Sequence, residues 1–94
     1  MGPPYVAIIE NRAEVVGDVQ GALKPDPERP GFSEARVRVT GSQTIEGWPN
    51  LFGQDAGGCI TVYVPDTLAD RFQVGATVRF TAKKSGLGTA VAVP

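Results

Sequence analysis

Hydrophobic and polar positions alternate along most of this chain, most clearly in its second half. Ile60, Val62 and Val64 alternate with Cys59, Thr61 and Tyr63, the period of a half-buried strand over Cys59–Val64. Val78, Phe80 and Ala82 alternate with Thr77, Arg79, Thr81 and Lys83, which predicts a strand over Thr77–Lys83. A last strand follows over Thr89–Val93, after a hairpin turn at Gly86-Leu87-Gly88. Between the first two of these the period changes. Leu68 and Phe72 stand at i and i+4 behind Asp66, a residue suited to an N-cap, so the pattern predicts a short helix over Asp66–Phe72. A helix this short depends on tertiary packing for its stability.

The first half carries the extended pattern with interruptions. Tyr5–Ile9 is a short apolar run, read as an added edge strand or as the first part of a long strand broken at Asn11-Arg12. Ala13–Leu23 resumes the extended pattern, and Gly17 and Gly21 mark it as a coiled, bent strand. Three prolines make Lys24–Gly31 an exposed hairpin loop. In the return strand Ser33–Thr40, Ala35, Val37 and Val39 face one way, and Arg36, Arg38 and Thr40 the other. Ser42–Thr44 is compatible with a continuation of that strand. The rest of Gly41–Gly58 is loop chemistry carrying Trp48 and Phe52, and a connection of this length is usually functional or partly disordered. The core expected from these faces is Val15, Val19, Val37, Val39, Ile60, Val62, Val64, Leu68, Phe72, Val78, Phe80 and Val91.

The length of 94 residues fits one domain, 1–94, with one modest core. Twelve Gly and eight Pro suit short strands with many turns. Nine basic and ten acidic residues give a net charge of −1, so the molecule as a whole carries no strong field for nucleic acid or an anionic membrane. The charge is uneven, however: from Arg71 onward there are basic residues and no acidic one. A single cysteine excludes an intrachain disulfide and favours a reducing compartment. With no secretory leader and no long apolar run, the expected location is the cytoplasm, with no membrane partner.

The order strand, strand, strand, helix, strand, strand resembles that of the oligonucleotide/oligosaccharide-binding (OB) fold. This is an all-β, small five-stranded Greek-key barrel with a short helix between strands three and four. The resemblance runs from Ala13 to Val93 and rests on topology, with no signature motif of a particular subfamily. An SH3-like barrel is the nearest competitor, but has no natural place for a helix after its third strand. An immunoglobulin-type sandwich needs about seven strands, more than the pattern supplies.

Candidate chemistry is narrowed by what the sequence omits. With no histidine there is no catalytic triad, Cys-His pair or His-ligated metal, so neither an enzyme, a cofactor nor a metal is expected. Cys59 has no basic sequence neighbour that would activate it and reads as a bystander. Asp66 and Asp70 share a helix face, and capping with solvation accounts for them. What remains is a surface. The OB resemblance implies a ligand face on strands two and three, with Arg36, Arg38, Thr61 and Tyr63 pointing outward, continued by Arg79, Lys83 and Lys84. The loops at Lys24–Phe32 and Lys84–Gly88 flank it. Cations would track phosphates, and Tyr63, Trp48 or Phe52 would stack bases.

Two partners follow from two readings. The first is single-stranded DNA or RNA on that face. The alternative is a protein partner or a second copy of the chain, taken up by the edge run Tyr5–Ile9 and the aromatic loop 47–58. A blander account competes with both. Glu14 and Asp18 on the neighbouring strand would neutralise Arg36 and Arg38, and Trp48 and Phe52 would fold back as a lid on the core.

Overall fold

A computed structural model describes residues 9–94. It contains β1 (Ala13–Val19), β2 (Lys24–Pro25), β3 (Phe32–Thr44), β4 (Cys59–Pro65), a 3-10 helix (Asp66–Arg71), β5 (Thr77–Gly86) and β6 (Thr89–Val93). The strand expected over Tyr5–Ile9 lies outside the described residues except for Ile9, which is exposed and belongs to no strand. β1 lies antiparallel between β3 and β5, β3 also carries β4, β4 runs parallel to β6, and β6 returns antiparallel to β5. Five strands therefore close into a barrel, with the two-residue β2 paired to the start of β3. The order is compatible with an OB-like topology.

Closure requires the first two barrel strands to coil, and the bend falls at a predicted glycine. The β1–β3 register shifts between Val16 and Gly17. A Cβ at Gly17 would stand 2.5 Å from the Arg38 carbonyl oxygen and 2.6 Å from Val37 Cγ1, so only glycine fits where the strands press together.

The inward faces of β1, β3, β4 and β5 are those given by the alternation, and Val15, Val37, Val39, Val62, Val64 and Phe80 are fully enclosed. β6 departs from it. Ala90 and Ala92 face the core while Val91 is half-buried on the outer side, opposite Lys83 of β5. In a strand of valines and alanines hydrophobicity does not mark the inner face. Here the smaller side chains point in, where β6 is flanked on both sides by other strands.

The helix also differs in detail. It is a 3-10 helix ending at Arg71, its N-cap is Pro65, and Asp66 makes no capping bond through its side chain. Pro65 sets the entry with φ −67°, and the Asp66 N–H donates to the Gly31 carbonyl at 2.9 Å. Leu68 packs partly buried on the core, and Phe72, just past the helix, is buried edge-on to Phe80 with ring centroids 5.1 Å apart.

Candidate functional site

The β3–β4 register sets Glu34 opposite Tyr63, Arg36 opposite Thr61 and Arg38 opposite Cys59, all on the side away from the core. A groove of about 260 Å³ opens along this face, lined by Gly21, Ala22, Lys24, Glu34, Ala35, Arg36 and Thr61. The connection from β1 to β3 builds one wall. The Gln20 N–H donates to the Arg36 carbonyl at 2.8 Å, and β2 then places Lys24 opposite Glu34. The tip beyond β2 is a folded turn. Asp26 accepts from the Glu28 N–H at 2.9 Å and holds the Arg29 guanidinium at 3.2 Å. That turn lays Arg29 over the Tyr63 ring, 4.0 Å from its centroid. The β5–β6 hairpin borders the face on the other side. Its Gly88 carbonyl accepts from the Thr61 N–H at 2.8 Å, and Leu87 at its tip is 97% exposed.

Charge pairing singles out this groove. Arg29, Arg79, Lys83 and Lys84 each form an ion pair, with Asp26, Glu14, Glu10 and Asp55 respectively. Arg12 lies over Trp48, and Arg71 donates to the Arg79 carbonyl. Lys24, Arg36 and Arg38 form no ion pair among the described residues, and all three are exposed along β2 and β3. Arg38 lies opposite Asp18 across β1, but the Asp18 carboxylate accepts from the Thr77 hydroxyl at 2.8 Å, and Glu14 turns to Arg79. Among the described residues, neither Glu14 nor Asp18 forms an ion pair with Arg36 or Arg38. Two residues apart on one strand, Arg36 and Arg38 spring from backbone positions about 6.8 Å apart, and each guanidinium offers a donor fork to an oxyanion.

The other residues put forward from the sequence do not join this face. Arg79 and Lys83 project from β5, which pairs with β1 and β6 and not with β3 or β4. Arg79 sits against Glu14 at 3.3 Å, with Gln43 beside it. Lys83 holds Glu10 at 2.8 Å, and its hydrogen bond and charge keep the Glu10 carboxyl below its ordinary value. Lys84 is mostly covered, with Nζ 3.0 Å from Asp55 and 3.3 Å from the Leu51 carbonyl. Phe52 is 1% exposed, so it belongs to the core and is closed to a ligand. Trp48 is half-buried beneath Arg12, 4.9 Å from its ring centroid.

Loop 45–58 is thus tied down as a lid. The Asn50 side chain donates to the Ser42 hydroxyl at 3.1 Å and accepts from the Phe52 N–H at 2.8 Å. The Gly57 N–H donates to the Val39 carbonyl at 2.8 Å. Sequence reasoning missed Arg29 and Lys24 as parts of the face, and Asn11 as a fastener. The spacing of Asp26 and Arg29 across a proline-rich turn was the available signal for the first. No family model matches the chain, and no curated protein or solved structure shows a significant similarity to it.

Proposed function

We propose that this chain is a non-enzymatic module of the OB class that holds single-stranded nucleic acid across the outer face of β3 and β4. The observation that carries the reading is the cluster of three cations without ion-pair partners among the described residues, Lys24, Arg36 and Arg38, beside the groove. The strand order, the short helix before β5 and the flanking β1–β3 and β5–β6 connections support it, because barrels of this type commonly take ligands on that face. The face holds nothing that separates DNA from RNA, so both are expected to bind.

Titration of labelled poly-dT and poly-U at several salt concentrations tests this directly. Three phosphate contacts to a single strand predict a log–log salt slope of about −2, and Arg36→Ala should weaken binding and flatten the slope by about 0.7. Absence of binding at low salt would overturn the proposal and leave a protein-interaction module in its place. For that alternative, the run Tyr5–Ile9 lies outside the described residues but for Ile9, and the aromatic loop is folded onto its own barrel.

A further inference from the structure

Among the described residues, each ring put forward for stacking either carries a guanidinium or is buried. Arg29 lies 4.0 Å from the centroid of Tyr63, which stands on β4 two residues from Thr61, the partner of Arg36, and Asp26 anchors it there at 3.2 Å. Arg12 stands over Trp48 and Phe52 is buried. Phe32 is half-buried at the far end of β3, opposite Pro65 and beyond Tyr63 from Arg36 and Arg38. Among the described residues, the face therefore offers cations along a strand, and the ring beside them already carries a guanidinium. Glu34 stands directly across from Tyr63, two residues from Arg36 on β3, and would repel a second phosphate there.

We infer that the groove reads the phosphodiester backbone of a single strand and not its bases, with Arg29 as the residue that withholds Tyr63 from stacking. This rests on the nucleic-acid reading above. It departs from stacking platforms, where each base on an aromatic ring adds about 5- to 150-fold in affinity. Lys24, Arg36 and Arg38 supply the attraction, and since every nucleotide carries the same phosphate, sequence has no effect.

The test compares oligo-dT with an abasic phosphodiester strand of the same length, by fluorescence anisotropy at low salt. The two are expected to bind within about threefold of each other, since only phosphate contacts contribute. Tyr63→Leu should leave both unchanged. Arg29→Ala removes one cation and weakens both, but uncovers the ring, so the ratio of oligo-dT to abasic affinity should rise about fivefold or more. That rise should vanish in the Arg29→Ala, Tyr63→Leu double variant. If the abasic strand binds the native protein more than about tenfold weaker than oligo-dT, bases are being read and this inference fails while the nucleic-acid proposal stands. If neither strand binds, the nucleic-acid proposal itself fails.

Discussion

Where β1 ends at Val19 and β5 begins at Thr77, the barrel is covered by the 3-10 helix and the buried ring of Phe72. Where β1 begins at Ala13 and β5 passes Ala82, it is covered by loop 45–58 and the buried ring of Phe52. Both ends use one phenylalanine as the plug, but they fasten it differently. Phe72 packs edge-on against Phe80 with Leu68 beside it, and the segment is joined to β1 by the pair of bonds between Val19 and Gly75-Ala76. Phe52 sits in a loop held by polar groups: Asn50, Lys84 with Asp55, and behind them Asn11.

Asn11 explains how the second fastening works. It is 1% exposed, and its side-chain amide accepts from the Lys84 N–H at 2.8 Å and donates to the Lys84 carbonyl at 3.2 Å. It thus completes the β1–β5 ladder one rung beyond the strand, with a side chain in place of a backbone, and fixes the residue whose ammonium grips the loop. A helix plug needs only an apolar stripe. A loop plug needs each of its polar groups satisfied, and so draws on residues far apart in the chain.

The largest test of this contrast is Phe72→Ala. Removing a buried ring at the apolar end should cost about 3–5 kcal/mol in urea unfolding, much of a domain's usual 5–15 kcal/mol. Native Trp48 emission should not change, because the tryptophan reports on the opposite end. A loss below about 1 kcal/mol would show that this end is not closed by the ring.

Asn11→Ala should have a smaller and more local effect. It strands the Lys84 N–H and carbonyl, at about 1–3 kcal/mol for a buried group left unpaired. Since Arg12 and Lys84 both fasten loop 45–58, the native state should show red-shifted Trp48 emission and faster amide exchange over residues 50–57. The exchange of Phe72 and Val78 should be unchanged beyond the global loss of stability. Equal acceleration at both ends would erase the distinction between them.

The same contrast explains what was legible in the sequence. Strand and helix periods depend on neighbours in the chain, so the five barrel strands, the helix position and the bend at Gly17 were readable. Leu68 and Phe72 announced the helix plug by their spacing. Nothing local distinguishes Phe52 from an exposed loop aromatic, because its burial depends on Lys84 and Asn11, more than thirty residues away on either side. The outer face of β3 was legible for the same local reason as its core face. Which cations on the surface stay unpaired was not, because Arg79 and Lys83 meet Glu14 and Glu10 only after β1 and β5 pair. Val91 was misplaced because β6 alternates two apolar residue types, and only its neighbours decide which points inward.

The smallest test concerns Glu10 and Lys83, the outermost contact of the polar end. The pair is exposed, so it is screened and contributes little to stability, but it leaves a measurable trace. The hydrogen bond from Lys83, then its charge, hold the Glu10 carboxyl below its ordinary 4.5. A carboxyl depressed in the folded state stabilises it above the unfolded pKa, and that contribution is lost as pH falls through the folded pKa. In an NMR titration of side-chain carboxyls, Lys83→Met should therefore return Glu10 toward its ordinary value without altering Trp48 emission or the exchange of loop 45–58. If Lys83→Met instead loosens the loop as Asn11→Ala does, the lid is held by the outer ion pair as well as by the Asn11 rung. The polar fastening would then extend one layer further toward solvent than the buried bonds alone require.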